Sequence, residues 1–510
     1  MSLARKIFSN TAWQVIGKFI TAVLGIVSIK FITNYLSRST YGEYTTIYDY
    51  TALFAIIADF GLFTIAVREM AHHGNKIEKI LGNVLSIRTV LAVAALGLGF
   101  FVTFLIPAYR GTPIPMGVGI VSIATVITLI AGTMSSLLQY HLKMFWTSIA
   151  LSIGKIVTVG YIVLTITVFY PNDPAAGFPH LLTAWIIGGL ITVLITYRAA
   201  SKLAVVRFRF ELDFWKDILI KALPYGLALM LGTIYFRMGT IVLSLLGEKE
   251  QVGLFGVPMR FVEILQIVPH YFMNSVLPIL TASIVVNRQR AEKIVRYALN
   301  TMVTLSLPIL MGGFMLSWQL TAAVSSPEFL THRAADGAVI YGSDLALRIL
   351  LGALVFTFLH VVFTYVLVAK GQQKLVLVAN GIGATINILL NVILAPRYGF
   401  VGAALSVVGT EIVMFVTLTL LARRYLSNIW DLPFIAKTFV STGAMGLVLW
   451  LTAAPLSALF HTKSLLILVP LGAAVFGLSM ILTRAVSKEM VRLIIQKEPA
   501  KDDPPPPLTP

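Results

Sequence analysis

Nine basic residues sit where basic residues are costly: Lys18, Lys30, Arg88, Lys155, Lys221, Arg237, Arg260, Arg348 and Lys437 all fall inside long apolar runs. Insertion scales charge about 2.5–3.5 kcal/mol for a central Arg or Lys, so such a residue persists only with a partner or a wet cavity. The chemistry they offer is recognition of an anion, and arginine presents phosphate with a bidentate fork. Depth sorts them. Lys221, Arg348 and Lys437 lie within one turn of a run's end and read as anchors. Lys30 is close enough to an end to extend its ammonium to the interface. Lys18 instead shares a helical face with Gln14, Thr21, Gly25 and Ser28, and a polar stripe of that kind suits a cavity wall. Arg88 and Arg237 lie deeper, beyond easy reach of water, and are expected to line a cavity. Lys155 has no partner within its own run and joins them. Arg260 has Glu263 one turn on, so an intrahelical pair and a contact to a bound anion both stay open.

The acids inside the runs are fewer. Asp59 and Glu411 are each deep enough to serve as a proton or cation site, or to pair with a cation across a bundle. Asn387 and Asn391, one turn apart, either join a polar cavity face or hydrogen-bond between helices. His72-His73 has no carboxylates at metal-ligand spacing and reads as a solvated turn. No glycine-rich phosphate loop with its lysine occurs, which disfavours ATP hydrolysis by this chain. With no cysteine, thiolate metal sites and thiol nucleophiles are excluded. No catalytic constellation, metal site or cofactor is expected, and the chain does not read as an enzyme.

The elements that must position these side chains are membrane helices. Of 510 residues 57% are hydrophobic and only 12% charged, about half the charge of a soluble domain. Apolar runs of helical length recur, and in lipid the backbone must be satisfied within each one. Fourteen spans are predicted, beginning 13–36, 43–67 and 80–107 and ending 433–459 and 464–484. Basic residues in alternate connections number 24 on one side and 6 on the other, which predicts both termini on the cytoplasmic side. Most of the +17 net charge is thereby topological, and nucleic-acid binding is not needed. Residues 201–216 alternate apolar and charged and are expected to link two halves, with Asp213 as an N-cap. The tail 488–510 is polar and proline-rich, and is predicted to be disordered. A weak internal repeat places Gly42 over Gly253, each followed by an aromatic (Tyr44, Phe255) and a long helix. Such parallel repeats form a site between halves in many transporters.

Several stretches carry a resemblance to a known family. They include Asn10-Thr-Ala-Trp-Gln-Val-Ile-Gly17, Tyr41-Gly-Glu-Tyr44, Ala58-Asp-Phe-Gly-Leu62 and Arg68-Glu-Met-Ala71. The second half adds Leu246-Gly247, Val252-Gly-Leu-Phe255, Pro269, Pro278 and the segment Asn387 to Ala404, with Glu411 beyond it. In order and spacing these resemble the polysaccharide biosynthesis flippases, the Wzx-type exporters of the multidrug, oligosaccharidyl-lipid and polysaccharide superfamily. One departure is that Gly239 stands near where members often carry an acid in the seventh helix. The resemblance implies an all-α fold of two six-helix lobes, an N-lobe over 1–200 and a C-lobe over 217–424, plus two further helices over 425–487. It implies alternating access and export of a polyprenyl-diphosphate-linked oligosaccharide across the cytoplasmic (inner) membrane. Substrate-binding cations would then be Lys18, Arg88, Lys155, Arg237 and Arg260, with Gln14, Asn387 and Asn391 on a polar face and Asp59 or Glu411 in coupling. Membrane lipids, and the polymerase and glycosyltransferases of one pathway, are the partners implied. The competing reading is an ion-coupled exporter of amphipathic small molecules, whose cavity should be dominated by acids. A membrane-embedded glycosyltransferase ranks lower, because the longest outer loop offers only Glu328, Asp336 and Asp344.

Overall fold

The computed structural model describes residues 3–426 and 429–485; the predicted tail over 488–510 lies outside them. The described residues are almost wholly helical. In order it forms α1 (Leu3–Tyr35), α2 (Arg38–Asp59), α3 (Leu62–His72), α4 (Ile77–Leu105), α5 (Ile114–Tyr140), α6 (Met144–Leu164), α7 (Pro174–Ala200) and α8 (Leu212–Leu245). There follow α9 (Lys249–Leu265), α10 (Ile267–Val286), α11 (Arg288–Met315), α12 (Ser317–Val324), α13 (Ser343–Ala369), α14 (Gln373–Ala422), α15 (Leu432–Phe460) and α16 (Leu465–Leu482). The two-residue strands His332–Arg333 and Val339–Ile340 form a small hairpin between α12 and α13.

Among the described residues, twelve helical stretches are long and apolar enough to cross a membrane, and the protein is an all-α, multi-pass membrane protein. Two of the twelve are 50 and 51 residues long, which at 1.5 Å per residue would be about 75 Å if straight. Neither is straight. In α14 the backbone turns at Gly399 (φ 55°, ψ −134°), three residues after Pro396, and the two arms lie side by side. The other turns at His461, between α15 and α16.

Helices α1–α7 pack chiefly on one another and α8–α14 do likewise, while α15 lies against α11 and α16. Small residues let these backbones approach, as expected where lipid removes the hydrophobic drive between helices. Gly154 of α6 and Gly188 of α7 face each other in this way, each with a threonine (Thr192, Thr158) lodged over it. Helix α2 lies between the two sets, since it packs on α4 and α5 and also on α8 and α9. The repeat read from the sequence is visible at this seam. A Cβ on Gly42 would strike the Lys249 carbonyl, and a Cβ on Gly253 would strike the Arg38 carbonyl. The two contacts are related by the same offset that superposes the two glycines. Glu43 and Lys249 pair beside them at 2.6 Å.

At the opposite end, residues 205–211 run extended across the start of α4. Asn83 organises the contact. Its Oδ1 accepts from the Glu211 backbone N–H (3.0 Å) and the Trp215 indole (3.2 Å), and its amide donates to the Glu211 carboxylate (3.3 Å). Lys79 also binds that carboxylate and holds its pKa below the usual carboxylate range. The sequence places Asp213 as the N-cap of the following helix. Helix α8 starts instead after Glu211, which carries no side-chain cap, and Asp213 sits in the first turn. The backbone N–H of Glu211 is already taken by Asn83, so the local start signal yields to a tertiary one.

Candidate functional site

Three connected chambers run through the middle of the bundle. The first, about 380 Å³, lies among α1, α6 and α7. The second, about 500 Å³, is bounded by α1, α2, α5, α8 and α9, and the third, about 820 Å³, extends between α2, α4, α8 and α14. Thr128 borders all three, Lys155 and Trp185 border the first and second, and Arg237 borders the second and third.

Where the second chamber meets the seam, four charges gather. Arg237 of α8 donates to Asp49 of α2 and to Glu263 of α9, both at 2.6 Å. Arg260 of α9 binds Glu263 at 2.8 Å and approaches Asp49 at 3.7 Å. Asp49 is buried, and the other three are about a fifth to a quarter exposed toward the cavity. The repeat offset that matches Gly42 to Gly253 also matches Asp49 to Arg260, so equivalent positions of the two halves carry opposite charges and face each other. The intrahelical Arg260–Glu263 pair left open by the sequence is thus formed, as half of a larger cluster. Sequence reasoning missed Asp49, although the repeat offset was the signal that marks it.

The remaining candidates divide by place. Arg88 is buried and binds Asp59, and it also donates to Thr133 at 3.2 Å. Both Arg88 and Asp59 face the third chamber. The break between α2 and α3 puts Asp59 there, because Phe60 (φ 39°) and Gly61 (φ 72°) are both left-handed and redirect the chain. Lys18 and Gln14 line the first chamber, and Lys18 is exposed. Lys155 lines the first and second chambers with its ammonium 4.0 Å above the Trp185 ring. Among the described residues no carboxylate lies within ion-pairing distance of Lys18 or Lys155, whereas every cavity arginine has one. Lys30 donates to the Ala322 and Ser325 carbonyls at 2.9 Å and ties α1 to the end of α12.

Glu411 is buried under two donors that sequence reasoning did not single out. The Tyr235 hydroxyl binds one carboxylate oxygen and His360 Nε2 lies 2.8 Å from the other. Tyr235 and His360 both border the third chamber, so Glu411 lies just behind its wall. Asn387 and Asn391 are not brought to a chamber. Both are wholly buried inside the α14 hairpin, where Asn387 donates to Thr410 across it (3.1 Å) and Asn391 donates back to Asn387 (3.0 Å). A side-chain amide there satisfies polar groups between two closely packed arms, and the cavity-face expectation for these two residues gives way to that one.

Against this geometry, comparison with known proteins is informative. A family model described as "Polysaccharide biosynthesis protein" matches residues 7–284, and a second, MatE, matches residues 224–393. The "Probable low-salt glycan biosynthesis flippase Agl15" of Haloferax volcanii is 24% identical over 204 residues, 40% of either chain. The matched part of this chain therefore spans about two fifths of that relative's length. The solved structure "Lipid II flippase MurJ, inward closed conformation" aligns with a TM-score of 0.72 at 18% identity, covering 92% of this chain and 98% of that one. An inward-facing multidrug resistance MATE family transporter of the MOP superfamily aligns with a TM-score of 0.64 at 14% identity, covering 80% and 95%. At these identities the likeness is one of fold.

Proposed function

Because the chain belongs to the polysaccharide biosynthesis protein family, we propose that it moves a polyprenyl-diphosphate-linked oligosaccharide across the inner membrane by alternating access between two six-helix lobes, with both termini cytoplasmic. The observation that carries the reading is the charge at the seam. Arg237 and Arg260 are buried enough to need partners, and in this state Asp49 and Glu263 supply them. A diphosphate offers the same arginines a stronger, bidentate acceptor. Its arrival would exchange carboxylate for phosphate and loosen the contact between α2 and α9. Lys18 and Lys155, which have no carboxylate to displace, would contribute attraction along the path. The flippase relative and the family's description support the lipid-linked cargo. An ion-coupled exporter of amphipathic small molecules is less well supported, since its cavity should be dominated by acids and each acid bordering the chambers is matched by an arginine.

The test must separate cation loss from misfolding, because a buried charge left alone is destabilising by itself. Neutral pairs do so: Asp59→Asn with Arg88→Gln, and Glu263→Gln with Arg237→Gln. Each double variant keeps polar side chains of similar shape and removes both charges. Glycan export in cells, at unchanged protein level in the membrane, is expected to fall at least about tenfold for each, the equivalent of one lost charge-assisted contact. Normal export by both would end the cationic-cavity reading.

We propose a coupling role for Glu411, with Tyr235 and His360 as the groups that hold it. In vesicles, transport by the native chain should respond to an imposed proton gradient, and Glu411→Gln should abolish the response. A native chain indifferent to both gradient and potential removes the role.

A further inference from the structure

The second chamber has a wall that ion binding does not use. On α2, Tyr41, Tyr44 and Tyr48 recur at spacings of three and four, and so share one helical face. Tyr41 stacks on Tyr44 (6.0 Å, 18°), Tyr44 meets Tyr48 (4.7 Å), and Tyr48 meets Trp185 of α7 (5.3 Å, 54°). The first two rings are buried, while Tyr48 and Trp185 are half-buried and border the chamber. The indole is held in place, since its N–H donates to the Tyr44 hydroxyl at 3.4 Å. Beyond Tyr48 the same face of α2 shrinks to Ala52 and Ala55, and the chamber widens into the third beside the last ring.

We propose that Tyr48 and Trp185 form a stacking platform for a pyranose ring, next to the arginine cluster that takes the diphosphate; the proposal rests on the flippase reading above. A pyranose presents a face of weakly positive C–H groups, which suits the negative face of an aromatic quadrupole. Its edge presents hydroxyls that need acceptors. The chamber supplies them in Thr21, Ser28, Thr125 and Thr128. Each of these hydroxyls already donates to a carbonyl of its own helix, at 2.7–2.9 Å, which leaves oxygen lone pairs free to accept. Other ligands fit less well. A lipid tail has no use for a ring of hydroxyls, and a cationic guest would face Lys155, Arg237 and Arg260. Lys155 completes the arrangement. In this state its ammonium covers one face of Trp185, a contact of modest strength. An incoming phosphate draws the ammonium away and bares the indole for the sugar, so that anion and sugar are recognised together.

Two probes test this with purified full-length protein: a short-chain polyprenyl diphosphate carrying an N-acetylglucosamine disaccharide, and the same carrier without sugar. The native chain should bind the sugar-bearing carrier at least about tenfold more tightly. Trp185→Leu and Tyr48→Leu should each remove most of that difference without weakening the bare carrier, while Trp185→Phe and Tyr48→Phe retain it. The platform is overturned if the native chain binds the two carriers alike, or if the leucine variants lose both equally, as damaged packing would. Equal and tight binding of both carriers leaves the flippase reading standing. A native chain that binds neither carrier overturns that reading, and the platform with it.

Discussion

Gly42→Val leaves the protein in the membrane and stops export. A Cβ at this position would stand 2.8 Å from the Lys249 carbonyl carbon, nearer still to its oxygen, and 3.1 Å from the Gly253 nitrogen. All are backbone atoms, so no rotamer change relieves the clash, and α2 and α9 must separate. Overpacking a core typically costs about 1–3 kcal/mol where side chains can yield. Against backbone the upper end is the fair expectation, and about 3 kcal/mol is a bias on the order of a hundredfold against the closed seam. Helix formation itself is not threatened, because valine is well tolerated in apolar membrane helices. Gly253→Val should behave alike, through the Arg38 carbonyl. The chain has no cysteine, so a pair introduced at Glu43 and Lys249 reports the seam without background labelling. A short bifunctional reagent should join that pair in the parent protein and fail to do so after Gly42→Val. Undiminished export by Gly42→Val would show that closure of this crossing is not part of the transport cycle.

Arg260→Met is expected to cost the fold more than it costs recognition. It leaves Asp49 and Glu263 facing Arg237 alone, two carboxylates for one guanidinium in a partly dry seam. Removing one partner of a buried ion pair typically costs about 3–5 kcal/mol, because the remaining charge stays desolvated. A lower melting temperature and a several-fold loss of membrane level should follow. Adding Asp49→Asn removes the surplus charge and should recover much of both. That rescue identifies the cause: a methionine that merely packed badly would gain nothing from a change on α2. Failure of Asp49→Asn to recover any stability would dissolve the four-charge cluster as an energetic unit. Export should stay low in the rescued protein, because one of the two seam arginines is still missing.

Much of this is legible without coordinates. Apolar runs long enough to cross a bilayer have one backbone solution, so helices and their approximate ends follow from hydropathy alone. Charge inside such a run is costly wherever the helix packs, which singles out Arg88, Arg237 and Arg260 as residues in need of a partner. The polar stripe of Gln14 and Lys18 leads to a chamber wall for a related reason, since helical period fixes which residues share a face. Other positions leave the choice to tertiary structure. Asn387 and Asn391 are open to a cavity face or to a bond between helices, and partners within the same hairpin select the second. Asp213 suggests a cap because it stands before a helix, yet Asn83 sets where that helix begins.

The nine intramembrane basic residues, then, are determined by the sequence as residues that must find something. What each finds is decided by tertiary structure: Asp59 for Arg88, Asp49 and Glu263 for Arg237, an indole face for Lys155, two carbonyls for Lys30. The physical reason is one of range. Helical periodicity orders side chains about a single axis, over a few residues, and says nothing of which other helix will lie alongside. Low dielectric demands a partner for every charge without naming it. The name comes from close approach at Gly42 and Gly253, from the left-handed turn at Phe60 and Gly61, and from the fold of α14 upon itself at Gly399.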